Sequence, residues 1–199
     1  MTTVNTSTAT IRAATQEDTW AVRKLFKGLH DFNATLDPRF ALADNWERYL
    51  DEHLKREWNG ARSLTLIAWD GDRPIGLLML AGYSDSPLFR YRHWAEILAL
   101  FIDPEIRGGM LAFRFVKTAR KWAAEHGYDR IQLYVTATND RAKRFYEKCG
   151  FEPVQEIWRL EMGDGVPPHD FGEDDGDYGP DNDPLTPRPH NISSDAEES

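Results

Sequence analysis

Six consecutive apolar residues, Ile97-Leu98-Ala99-Leu100-Phe101-Ile102, stand between Glu96 and the Asp-Pro of positions 103–104. The run is too short for a buried helix and offers no polar residue to water, so it reads as a strand covered on both faces. Such a strand belongs in the middle of a sheet, with a layer on each side. The chain then continues IDPEIRGGMLAFRF (Ile102 to Phe115), with a Pro, two glycines and the apolar spacing of a helix. Strand, tight turn and helix in that order leave several amide N–H groups unpaired at the helix start. They point one way, and the helix dipole adds partial positive charge, which suits a phosphate. Arg107 can add a full charge and bidentate hydrogen bonds. The turn alone does not separate a phosphate cradle from a steric corner.

The elements around this strand set the fold class. ATIRAAT is a short first strand, and Thr15 or Asp18 can cap a helix through WAVRKLFKGLHDF with Trp20, Leu25, Phe26 and Leu29 inward. Pro38 interrupts, and NWERYLDEHLKREW is a second amphipathic helix. SLTLIAWD and IGLLMLAGY flank the turn DGDRP as a hairpin. After the Arg-Gly-Gly turn a helix carries Leu111, Phe115, Ala119 and Trp122 or Ala123 inward and ends at His126-Gly127. RIQLYVTA is a strand, Asn139 to Cys149 a short helix stopped by Gly150, and EPVQEIWRLEM a closing strand. This order predicts an α/β (α+β) fold, a mixed and mostly antiparallel sheet with helices on both faces.

The net charge of −9 divides unevenly. Residues 163–199 hold eight Asp and three Glu against one Arg, which leaves 22 acids and 23 bases, near neutrality, for the rest. That tail is rich in Gly, Pro and Asp and almost free of aliphatics, so it cannot offset its ordering entropy and reads as an acidic disordered segment. Residues 1–9 read as a disordered N-terminus and 10–162 as one domain. The polar, uncharged start predicts a chain without a secretory leader, and no apolar run approaches membrane-spanning length. A single Cys149 and six His without metal-ligand spacing predict a reducing, cytoplasmic setting and no metal.

A second segment, TNDRAKRFYEKCGF, follows the Arg-Gly-Gly turn after one helix and one strand. By itself it is an amphipathic helix with Asn139 as cap and a partly packed tyrosine. Alternatively, a phenol held near a leaving thiolate could act as a general acid. Taken together, AEILALFIDPEIRGGMLAF and NDRAKRFYEKCGF resemble the GCN5-related N-acetyltransferase (GNAT) family. The first matches its strand leading to R-x-x-G-x-G/A. The second matches N-x-x-A-x-x-x-Y-x-x-x-G-F through Asn139, Ala142, Tyr146, Gly150 and Phe151. The resemblance covers about residues 10–162. It implies acetyl-CoA in a V-shaped opening between two parallel strands, ILALFI and IQLYVT. The backbone of Leu100 and Ile102 would pair with the pantetheine arm. The turn Arg107, Gly108, Gly109, Met110, Leu111 and Ala112 would hold the pyrophosphate. Asn139 would lie beside the arm, and Tyr146 would protonate the leaving sulfur after direct attack by an amine.

Met110 departs from the pattern by occupying a glycine position, where a Cβ could crowd the pyrophosphate. Either Gly109 supplies the close approach, with the turn shifted by one residue and Ala112 as the small end, or cofactor binding is weakened. The first reading is favoured because Arg107 and Tyr146 are both present. Glu96 is the candidate general base, eleven residues before Arg107, at a spacing similar to the glutamate of histone-acetylating members. Strict alternation would put positions 96, 98, 100 and 102 on one face, with Glu96 on the cofactor side. Glu96 could equally be paired with Arg92 or His93, or solvated, with a water chain as the base.

The resemblance places the acceptor between LHDFNATLDPRFALADNW and GYSDSPLFRYRHWAE, where acids such as Asp31, Asp37 and Asp85 stand beside Trp46, Tyr83, Phe89 and Tyr91. Acids beside aromatic rings suit a cationic amine. The expected acceptor is a small-molecule amine or amino sugar, or a protein amino group, and a homodimer is compatible with this. The competing reading is a non-catalytic acyl-CoA-binding or interaction module that works through its acidic tail. A near-neutral body and an acidic tail argue against nucleic acid.

Overall fold

The computed structural model describes residues 9–58, 60 and 62–160. The chain divides into a unit that runs to Pro153 and another that starts at Val154. The first unit contains β1 (Thr10–Ala13), α1 (Thr19–Leu36), α2 (Trp46–Trp58), β2 (Ser63–Asp70), β3 (Arg73–Ser84), β4 (His93–Ile102), α3 (Leu111–Glu125), β5 (Arg130–Leu133) and α4 (Asp140–Lys148). The five strands lie in sequence order, antiparallel from β1 to β4, with β5 parallel to β4. Among the described residues no helix is long and apolar enough to cross a membrane.

Local chemistry explains the entry and the turns. Gly71 takes a φ of 57° in the two-residue loop that sets Asp70 opposite Arg73, a left-handed position that favours glycine. Asp18 closes the start of α1. Its carboxylate accepts the Arg12 guanidinium at 2.6 and 2.7 Å and the Thr15 amide at 2.8 Å. The Arg12 hydrogen bonds, opposed by burial and helped by Thr15, hold this carboxyl well below the usual carboxylate range. Ala9, expected in the disordered start, is packed instead, and its carbonyl accepts Arg114 at 2.8 Å.

The sheet is covered on both faces, as the apolar run requires. On one face α3 buries Leu111, Phe115, Ala119, Trp122 and Ala123 against Leu78, Leu80, Ile97 and Ile102. On the other, α1 and α2 bury Val22, Leu25, Leu50 and Leu54 against Ile67, Leu77, Met79 and Phe101. In α1 the inward stripe starts with Ala21, Val22 and Leu25, one position on from Trp20, with Asp18 buried just before the helix. Trp20 is 52% exposed and meets Trp69 edge-on.

Two expectations about the sheet fail for physical reasons. The β3–β4 register runs Met79 opposite Ala99 and then Leu80 opposite Ile97, so Leu98 is an extra residue in β4. A bulge of this kind breaks strict alternation. Ile97 packs on the α3 side, whereas Leu98, Ala99 and Phe101 pack on the α1/α2 side, and Leu100 and Ile102 return to α3. Glu96, next to Ile97, therefore lies on the α1/α2 face and not on the face of Leu100 and Ile102. The second failure is the closing strand. Residues 154–160 carry no helix or strand. Val154, Ile157, Trp158 and Leu160 all stay exposed, so this segment buries no apolar face against a sheet. The acidic tail from residue 163 lies outside the described residues.

Candidate active site

The β4–β5 ladder lasts four pairs, from Trp94 opposite Arg130 to Ile97 opposite Leu133. Beyond it the strands part. Leu98 to Ile102 on one side and Tyr134 to Thr136 on the other line a cleft of about 470 Å³. The expected V-shaped opening is this divergence, although β5 is four residues long, shorter than RIQLYVTA. The start of α3 and the inner side of α4 complete the cleft.

The cleft gathers Leu100, Ile102, Arg107, Gly108, Gly109, Leu111, Ala112, Asn139 and Tyr146 from the sequence-derived set. Met110 and Glu96 do not line it. Met110 precedes α3 with helical backbone and is 61% exposed. The glycine with a conformational duty is Gly108, at φ 99°, a backbone that side-chain-bearing residues rarely adopt. A Cβ there would meet nothing within 4 Å, so the demand is for shape and not for space.

Each remaining side chain is positioned by its own bonds. Arg107 donates from Nε to the Ile102 carbonyl at 2.9 Å and lies over Phe32 and Phe101 at 5.2 and 5.6 Å. Burial lowers its affinity for the proton, and nearby Arg141 lowers it further, against some help from Asp103. Asn139 caps α4 by accepting the Ala142 amide at 3.1 Å. Tyr146 stands between the rings of Phe145 and Phe151, 5.3 and 5.6 Å away. Burial, with a smaller contribution from Cys149, pushes its phenol up to about 12.

Sequence reading missed the cations on α4. Arg141, Arg144 and Lys148 also line the cleft, where no carboxylate faces them. The signal was available as bases spaced three and four apart, which fall on one helical stripe. Four cations, a lining without carboxylates and the first amides of α3, which have no intrahelical acceptor, are features that suit an anion.

Glu96 occupies a different environment. Its Oε2 accepts Trp94 Nε1 and Gln132 Nε2, each at 3.3 Å, and Trp94 stacks on Tyr83 at 5.8 Å. Neither Arg92 nor His93 is its partner in these hydrogen bonds. Burial raises the Tyr83 pKa, and Glu96, Glu57 and Tyr134 raise it further, which places both carboxylates within electrostatic reach of one phenol. Glu57 ends α2 with a side chain only 10% exposed. Its Oε1 lies 3.4 Å from His53 Nε2, and its Oε2 is buried without a hydrogen-bond partner.

Burial pushes the Glu57 carboxyl up to about 7, against weak opposition from Arg56. The folded chain therefore holds a proton that the unfolded chain releases at the ordinary value of 4.5. Stability linked to this group is fully present below about pH 4.5, is lost as pH rises to about 7, and is constant above. Glu57→Gln should remove this loss. Between pH 4.5 and 7 the parent should fall by on the order of 3 kcal/mol relative to the variant. Urea unfolding of both chains at the two pH values checks this, and parallel profiles would refute it.

The comparisons with known proteins agree with this geometry. An uncharacterized N-acetyltransferase of Methanocaldococcus jannaschii is 28% identical over 152 residues, covering 75% of this chain and 63% of the relative. A mycothiol acetyltransferase of Beutenbergia cavernae is 32% identical over 97 residues, covering 49% of this chain and 31% of the relative. The chain thus spans under two thirds of the first and about a third of the second. Among solved structures, a Bacillus halodurans protein superposes with a TM-score of 0.68 at 21% identity, over 77% of this chain and 99% of that one. The aminoglycoside N-acetyltransferase AAC(6')-Iy, solved with a CoA-based bisubstrate analogue, gives 0.64 at 14% identity, over 78% and 98%. These last two likenesses are likenesses of fold. The Acetyltransferase (GNAT) family itself matches residues 28–151, more than half of the chain, from within α1 through the tyrosine helix. With the parting strands, the glycine turn and the tyrosine all inside that span, the chain belongs to the GNAT acetyltransferase family.

Proposed function

We propose that the chain is an acetyl-CoA-dependent N-acetyltransferase that passes the acetyl group directly to a primary amine. The observation that carries this reading is the acid-free cleft, lined by four cations, the start of α3 and Tyr146. The residues present fit a phosphate-bearing ligand with an apolar arm. The amides of the 107–112 turn and the cations Arg107, Arg141, Arg144 and Lys148 would hold the phosphates, and Leu98 to Ile102 would offer apolar side chains and strand backbone to the arm. Acetyl-CoA, when bound, supplies an acyl thioester whose sulfur must depart as a thiol.

The chain's own groups serve the protons. An ammonium must lose one before it can attack, and Glu96 accepts it through water from the α1/α2 face. Tyr146 keeps its proton throughout the neutral range, so the donor is always loaded. Its value of about 12 lies above the ordinary thiol value of about 8.5, so complete transfer to sulfur is uphill. Its first service is therefore a hydrogen bond to the developing thiolate, with transfer following as the amine proton arrives.

Titrating CoA calorimetrically, followed by thiol release across a panel of amines, tests the reading. Micromolar binding and amine-dependent thiol release are expected. No binding at millimolar CoA would end it, and binding with no release from any amine would leave a non-catalytic acyl-CoA module.

A further inference from the structure

A second cavity, of about 420 Å³, opens between α1, α2 and the sheet on the face that carries Glu96. Its volume lies within the ordinary range for small-molecule sites. Leu98 lines this cavity and the cofactor cleft alike, so the bulged residue is a wall common to both. The walls are Phe26 stacked on Trp46, with Tyr49, Leu42, Leu50 and Met79 around them. No carboxylate and no Lys or Arg is among the lining residues. The acids that the sequence sets beside these rings face other partners. Asp31 accepts Lys27 at 2.7 Å, Asp37 accepts Arg39 at 2.8 Å, and Asp51 is bound by Arg23.

Besides the Tyr49 hydroxyl and the Trp46 indole N–H, the polar side chains of the lining are two imidazoles. Burial lowers the His30 pKa, against the Phe40 backbone and Asp31, and burial with Arg56 lowers that of His53. Both are therefore neutral at pH 7. His30 Nδ1 is buried without a hydrogen-bond partner. A polyhydroxylated or polycationic body would find few partners here, and each unpaired hydroxyl would weaken binding about tenfold or more. An apolar body would gain from every wall.

We propose that this cavity is the acceptor site and takes a primary amine carried on an apolar, ring-sized body, with the amino group at the Leu98 end. The inference rests on the acetyltransferase reading above for its chemistry but not for its binding. It differs from the expectation that acids beside aromatic rings here select a cationic body.

The test uses 2-phenylethylamine, glucosamine and spermidine with the full chain. Calorimetry should show 2-phenylethylamine binding at least tenfold tighter than the other two, with or without CoA, and thiol release should favour it by a similar factor. Ala43→Trp fills the cavity from an exposed position and should weaken 2-phenylethylamine binding at least tenfold while CoA affinity is retained. If CoA binds and glucosamine or spermidine is the better ligand, or if Ala43→Trp changes nothing, the proposal is overturned. If 2-phenylethylamine binds and Ala43→Trp abolishes it but CoA does not bind, the cavity stands and the acetyltransferase reading falls.

Discussion

Replacing Tyr146 by Phe should lower kcat about a hundredfold or more and leave the CoA dissociation constant within a factor of two. The ring contacts with Phe145 and Phe151 need no hydroxyl, so the packing of α4 is kept. Only the donor at the cleft wall is lost. Positioned proton donors contribute about 10² to 10⁴ in rate, and a phenol near 12 belongs at the lower end because its transfer is uphill. Single-turnover thiol release, with CoA binding measured separately, reads both quantities. A rate within threefold of the parent would remove Tyr146 from the chemistry while leaving the cleft intact. A parallel loss of CoA binding would mean that the hydroxyl serves the ligand and not the leaving group.

The second large effect belongs to the turn. Gly108→Val should weaken CoA binding about a hundredfold. A residue forced into an unfavourable backbone region costs about 1–3 kcal/mol, and at φ 99° a β-branched side chain is at the upper end. The turn can escape that strain by rotating its amides away from the cleft, which removes the hydrogen bonds a pyrophosphate would use. Met110→Gly should behave differently, because that side chain is exposed and does not line the cleft. Its CoA affinity should stay within about threefold of the parent. Gly109→Val, whose new side chain would enter the cleft wall, should fall between them. Calorimetry on the three variants gives the ranking. Equal affinities for Gly108→Val and the parent would show that the turn does not hold the ligand by its amides.

Much of the molecule was legible in residue order, where one period governs one element. The inward stripe of α3 came out as Leu111, Phe115, Ala119 and both Trp122 and Ala123, with Val116 missed, because positions at helical spacing constrain one another. The Arg107 turn and the Asn139 cap were equally legible, since each rests on a local backbone need. The bulge at Leu98 was not, because six apolar residues in a row give no sign of where alternation breaks. That silence misplaced Glu96 by one face. The α4 cations were present in the sequence but hidden by a search for apolar positions. The acceptor cavity was least legible. Asp31 and Asp37, read as acids set beside aromatic rings, are instead paired with Lys27 and Arg39.

The bulge at Leu98 has a consequence for how this strand can change. Without the extra residue, the upstream half of β4 would be half a period out of phase and Glu96 and Trp94 would swing to the α3 side. Loops in this chain can gain or lose residues one at a time. Within β4, length can change only in steps of two, so the strand ties the chemistry of its two faces to a counting rule that substitution alone cannot relax.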